Sequence, residues 1–124
     1  MSNIRVFVYD EQGAHFETVS NDLHTFQNIV GGLITVYSIG ENYEYDVVCN
    51  DEGILLNLEP RVGVVNDNGK GWETILFGNC FVCRHDADGN FTSLTEKDLA
   101  YIGNKLKWLD ELQFILYRYF GLIE

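Results

Sequence analysis

Proline is almost missing from this chain: Pro60 is the single one in 124 residues. That scarcity leaves no proline-rich linker on which to divide the chain. Three cysteines, Cys49, Cys80 and Cys83, are few and odd in number, so reduced thiols rather than a disulfide framework are expected. The opening Met1-Ser2-Asn3-Ile4-Arg5 has no basic stretch followed by an apolar run, and no signal peptide is expected. No apolar run approaches the ~20 residues of a membrane helix. The nearest candidate, Phe114 to Ile123, carries Arg118. A soluble cytoplasmic protein is the expectation.

Positive charge is the most informative scarcity. Residues 1–60 hold ten acids against one base, Arg5, whereas residues 61–124 hold nine acids and seven bases. Of the net charge of −11, the first half therefore carries −9. Such a field repels phosphate backbones and attracts basic surfaces. Direct nucleic-acid binding is disfavoured, and a basic protein partner is permitted. Ordinary solubility is the competing explanation of the same charge.

Hydrophobic residues at 46% and aromatics at 14% suffice for one packed core. One domain over residues 1–124 is expected, with 104–124 as a C-terminal helical extension. Ile4, Val6 and Val8 alternate with Arg5, Phe7 and Tyr9 as a first strand, and Ala14–Val19 reads as its hairpin partner across Asp10-Glu11-Gln12-Gly13. Ser20 or Asn21 is placed to cap a helix with Leu23, Phe26, Ile29 and Val30 on one face and Gly31-Gly32 as its stop. Leu33–Ile39 and Tyr43–Cys49 predict two strands, and Ile54–Leu58, closed by Pro60, fits a short strand or a helical turn. Ile75–Arg84 reads as one strand, Asp86–Asn90 as a turn, and Thr95-Glu96-Lys97-Asp98 as a capping box with Asp in the usual Glu or Gln place. Beyond it Leu99, Ile102, Leu106, Leu109, Leu112, Leu116 and Phe120 recur at helical spacing, with Gly103-Asn104 as an end or a kink. The expected fold is α+β: an antiparallel sheet with one short helix and a longer C-terminal helix packed on one face.

Three pieces stand out in order: Gly31-Gly32 followed by Leu33-Ile34-Thr35-Val36, the stretch Val48-Cys49-Asn50-Asp51-Glu52-Gly53-Ile54-Leu55-Leu56-Asn57-Leu58, and Ile75 to Cys83 with Asp88 to Thr95. In this order they resemble a family of unassigned activity, the domain of unknown function 3846. Together they span roughly residues 15 to 102, a pattern of strands, turns and a helix cap. The resemblance implies a genomic context, the phages, plasmids and other mobile elements of Gram-positive bacteria, and carries no catalytic residues.

Chemistry-bearing patterns yield to structural explanations. Cys80-x-x-Cys83 has a zinc-like spacing, but a structural site needs four ligands and only Cys49 and His85 remain. Residues three apart on a strand also face opposite sides. Asp86-x-Asp88-x-Asn90 begins like a calcium loop, yet Phe91 stands where its Gly belongs and Lys97 where its last acid belongs. The loop Asn66-Asp67-Asn68-Gly69-Lys70-Gly71 lacks P-loop spacing. His15, His24 and His85 sit on three elements with no nucleophile signature beside them. No catalytic, metal-binding or cofactor-binding residue is assigned, no cofactor is expected, and the protein is expected not to be an enzyme.

What remains is the acidic half, with Glu41, Glu44, Asp46, Asp51 and Glu52 as candidate partner-binding residues. The leading expectation is a non-enzymatic modulator from a mobile element that binds a basic, nucleic-acid-handling host defence protein, of anti-CRISPR or antirestriction type. The alternative is a structural or regulatory homodimer built on the apolar C-terminal helix, with contacts at Leu116, Tyr119, Phe120 and Ile123. A third is a small-ligand-binding domain or an enzyme without a recognisable motif.

Overall fold

The computed structural model describes residues 2–109. Strands β1 (Asn3–Asp10) and β2 (Gly13–Ser20) form the expected hairpin, in register from Asn3↔Ser20 to Asp10↔Gly13. Helix α1 (Leu23–Val30) is capped by Asp22, whose Oδ1 accepts the Thr25 N–H at 2.8 Å. Ser20, one of the two predicted caps, instead donates its hydroxyl to the other Asp22 oxygen at 2.6 Å. The helix stops where expected, because Gly31 takes φ 79°, a left-handed conformation that glycine adopts without strain.

Strands β3 (Ile34–Ile39) and β4 (Tyr45–Asn50) pair antiparallel from Ile34↔Asn50 to Ile39↔Tyr45. There follow β5 (Pro60–Val65), β6 (Trp72–Phe77), β7 (Cys80–His85), β8 (Phe91–Thr92), a 3-10 turn at Glu96–Asp98, α2 (Leu99–Lys105) and β9 (Leu106–Trp108). All pairings are antiparallel and build two sheets. The larger runs β2-β1-β7-β4-β3, with β8 beside β7, and the smaller runs β6-β5-β9.

Side-chain alternation sorts the larger sheet into two faces. Tyr9, Val47, Cys80 and Val82 meet Val62 and Val64 of the smaller sheet, together with Ile102 of α2. Val6, Val8, Val48, Phe81 and Cys83 meet Phe26 and Val30 of α1. The result is three layers: α1, the larger sheet, and the smaller sheet with α2.

An α+β architecture is thus present, but differs from the expected single sheet in three places. First, the run Ile75–Arg84 breaks at Gly78, where φ is 90° and a Cβ would lie 2.6 Å from Leu58, so its halves enter different sheets as β6 and β7. Second, Pro60 opens a strand rather than closing a segment, since the first residue of a strand tolerates the missing N–H. Third, the helix that starts at Leu99 ends at Lys105, and Leu106–Trp108 turn into a strand on the open side of β5. Leu109 continues that contact, its N–H donating to the Arg61 carbonyl at 2.8 Å. The rest of the predicted stripe, Leu112, Leu116, Tyr119, Phe120 and Ile123, lies outside the described residues. Residues 54–58 form hydrogen-bonded turns, with the Leu56 N–H on the Glu52 carbonyl at 2.9 Å. No helix among the described residues is long and apolar enough to cross a membrane.

Two glycines give opposite expectations. A Cβ at Gly63 of β5 would collide with the ring of Trp72 on β6, whereas Gly103 of α2 has open space around it. Gly63→Ala should destabilise the domain by about 1–3 kcal/mol through overpacking. Gly103→Ala should be neutral or stabilising by up to about 1 kcal/mol in a helix. Chemical denaturation of the two variants beside the parent measures both.

Candidate functional site

Of the five acids singled out in the sequence, four remain at the surface. Glu41 and Glu44 occupy the β3–β4 turn, where the Glu44 carboxylate accepts the Asn42 N–H at 3.0 Å. Asp51 and Glu52 are exposed at the opposite end of β4. The six residues of β4 separate the two pairs, a distance of about 20 Å at ~3.3 Å per residue. Asp46 has to be corrected: it is 4% exposed and presents no charge to a partner. It lies within β4, which is covered on both faces, and its carboxylate is matched internally. Ser38 Oγ donates to Oδ1 at 2.9 Å, and His85 Nδ1 lies 2.8 Å from Oδ2.

This Ser38–Asp46–His85 chain has the wrong order for nucleophilic catalysis. The hydroxyl donates to the carboxylate and the imidazole sits on that carboxylate's other oxygen, so Ser38 has no histidine beside it as a Ser-His-Asp order requires. The other histidines stay apart, His15 beside Asp10 and Glu17 on the β1–β2 hairpin and His24 exposed on α1.

Cys80 and Cys83 point to opposite faces, one into each core, as three-residue spacing on a strand requires. Burial pushes both thiols well above their ordinary range, and it pushes Cys49, with help from Asp51, up to about 11. Burial thus favours the protonated form of all three thiols near neutrality. The Asp86 carboxylate is occupied by the N–H groups of Asp88 and Asn90, both at 2.9 Å, which is a closed turn rather than an open ligand loop. Among the described residues no group of three or more His, Cys, Asp and Glu is disposed to hold a metal ion.

The best-defined concave feature lies where the β3–β4 turn meets α2 and the β5–β6 loop. It is a cleft of about 480 Å³ lined by Glu41, Tyr43, Asp67, Glu73, Tyr101 and Lys105. Lys105 forms its floor, with Nζ 2.7 Å from Asp67 Oδ1 and 3.2 Å from Glu73 Oε1. Burial acts to lower the pKa of this ammonium, but the two carboxylates outweigh it and hold the value above the ordinary lysine range. Tyr37 donates its hydroxyl to the second Glu73 oxygen. Three carboxylates against one ammonium leave the cleft negative.

Its aromatic wall is held from behind. Tyr101 stacks on Tyr45 with ring centroids 5.3 Å apart, and the Tyr45 hydroxyl donates to Asp98 Oδ1 at 2.7 Å. Arg84 Nη1 lies 3.1 Å from the same oxygen, and Asp98 Oδ2 accepts the Thr95 N–H at 2.7 Å, completing the capping box read from the sequence. Burial would raise the Asp98 carboxyl, but Thr95, Tyr45 and Arg84 together hold its pKa below the usual carboxylate value.

Sequence reading did not find Tyr43, Asp67, Glu73, Tyr101 or Lys105 as a group. They come from separate turns, strands and helices, so no local spacing links them. Cys80, Cys83 and the histidines do not line this cleft.

The depressed Asp98 pKa fixes a pH dependence. A carboxyl lower in the folded state contributes stability above its unfolded pKa of about 3.9 and loses it as pH falls through the folded value. Asp98→Asn should therefore cost about 1–3 kcal/mol at pH ~7. The gap between parent and variant should shrink below pH ~4, as unfolding curves over that range will show.

Comparison with curated proteins and with solved structures returns no match. The family model of the domain of unknown function DUF3846 matches residues 4–107, which takes in both sheets and the cleft between them. By that match, over nearly the whole described fold, the chain belongs to the DUF3846 family.

Proposed function

We propose that this protein is an acidic, non-enzymatic protein-binding modulator, encoded by a phage, plasmid or other mobile element. It acts in the cytoplasm on a basic, nucleic-acid-handling host defence protein of the anti-CRISPR or antirestriction type. The observation that carries the reading is the placement of charge. No Lys or Arg occurs between Arg5 and Arg61. Four acids of that stretch stand at the two ends of β3 and β4, Glu41 and Glu44 at one and Asp51 and Glu52 at the other, while Glu11, Glu17 and Glu59 add exposed negative charge elsewhere. The base that lines the adjoining cleft, Lys105, is neutralised by Asp67 and Glu73. A groove built for a phosphate backbone is rich in Lys and Arg, and a surface of this kind complements it electrostatically.

Association of this type weakens as salt shortens the screening length from about 10 Å at ~0.1 M to about 3 Å at ~1 M. Against a panel of purified nucleases and defence effectors, at least one should bind at the lower salt and lose about tenfold or more in affinity at the higher. Neutralising Glu41, Glu44, Asp51 and Glu52 together should abolish that capture, with Asp46 left intact because it is buried. A panel without a salt-sensitive partner, or a neutralised variant that binds like the parent, contradicts the reading.

A further inference from the structure

Sheet topology and charge meet at one strand. β3 is the end strand of the larger sheet and pairs with β4 alone among the described residues. Its outer edge thus presents backbone N–H and C=O groups without a ladder partner in that set. Natural edges are normally guarded by a charge, a proline or a bulge. Residues 33–40, Leu33-Ile34-Thr35-Val36-Tyr37-Ser38-Ile39-Gly40, contain neither charge nor proline, and the β3–β4 register is unbroken. The opposite edge strand, β2, carries His15 and Glu17.

Exposed apolar side chains gather at the same place. Leu33 and Val36 are 59% and 43% exposed, and Ile54, Leu55 and Leu56, in the turns after β4, are 73%, 80% and 53% exposed. Ile54 and Leu55 share a shallow cleft of about 190 Å³ with Thr35 of β3, so these turns lie alongside the strand. Charge brackets the edge. Asp51 donates its N–H to the Leu33 carbonyl at 2.8 Å, which sets Asp51 and Glu52 beside the start of β3, while Glu41 and Glu44 follow its end.

We infer that β3 is a docking edge that takes an extended segment of the partner as an added strand. The occupant is a run of about six β-forming residues, matching the length of β3, with Lys or Arg at each end. Its main chain continues the β3 ladder, and its aliphatic side chains rest on Val36 on one face and on Ile54 and Leu55 on the other. Its terminal cations meet Glu41 and Glu44 at one end and Asp51 and Glu52 at the other. A second copy of this chain fits poorly, because antiparallel pairing centred on Val36 and Tyr37 sets Glu41 of each copy near Asp51 of its mate. The inference rests on the protein-binding reading above and names its mode of recognition.

The test uses a synthetic peptide of about six alternating Val and Thr residues flanked by arginine pairs, matched to one edge strand. Two analogues carry N-methyl groups on every second amide, one for each alternation, which removes the donors that face β3. Amide shifts and hydrogen exchange of the full chain are followed by NMR at low salt. The parent peptide should slow exchange along β3, and one analogue should bind about tenfold or more weaker because its ladder hydrogen bonds are gone. Val36→Lys, at an exposed position that leaves the core intact, should weaken the parent peptide similarly by repelling its cations. Equal binding of both analogues and the parent, shifts confined to the acidic turns, or no binding at all overturns strand addition. Capture of a basic protein in the preceding experiment would survive any of those results. Strand addition that ignores salt and ignores neutralisation of Glu41 and Asp51 would keep β3 as an edge but overturn the cationic ends assigned to its occupant and, with them, the basic-partner reading.

Discussion

All six residues of β4 and the first four of β7 are buried, because α1 covers one face of these central strands and the smaller sheet covers the other. A strand closed on both faces admits polar groups only where partners wait inside. Asp46 meets that demand through Ser38 and His85. Asn50 meets it by donating to the Val30 carbonyl at 3.1 Å and accepting the Glu52 N–H at 2.7 Å, which ties the end of α1 to the sheet and to the following turn. Charge that lacks such partners stays at the surface. The four surface acids flanking β4, Glu41, Glu44, Asp51 and Glu52, therefore form two pairs set apart by the length of that strand, with Glu11, Glu17 and Glu59 exposed elsewhere.

The same double coverage explains why the thiols of Cys80-x-x-Cys83 are kept apart. With both faces closed, each thiol is buried in a separate core and held protonated by burial. A sheet with one solvated face would have exposed one of them. The cleft beside α2 follows from the smaller sheet, whose β5–β6 loop brings Asp67 over the β3–β4 turn, where Lys105 bridges it to Glu73.

Local patterns made the first strand, its hairpin, α1 with its Gly31 stop and the capping box at Thr95–Asp98 legible in the sequence, since each depends on neighbours within a few residues. The second sheet was not legible. β5 has strand-favouring Val62, Val64 and Val65, but Pro60 at its start and Gly63 inside interrupt the pattern that would announce it. Its pairing with β6 and β9, and the packing of the Trp72 ring over Gly63, make it a strand. Leu106 illustrates the same override, because its place in a helical stripe loses to the open side of β5. Asp46 looked like a surface acid for a related reason: alternation tells which residues share a face but not that both faces are covered.

Two features of different origin thus converge on β3: the acids excluded from the core and an uncharged edge at the end of the sheet. Strand-resolved hydrogen exchange of the free protein tests this arrangement most directly. Amides of β4 and β7 should exchange only through global unfolding, and the outward-facing amides of β3 should exchange faster by orders of magnitude. Uniform protection across β3, equal to that of β4, would mean that the edge is already covered and would contradict the account.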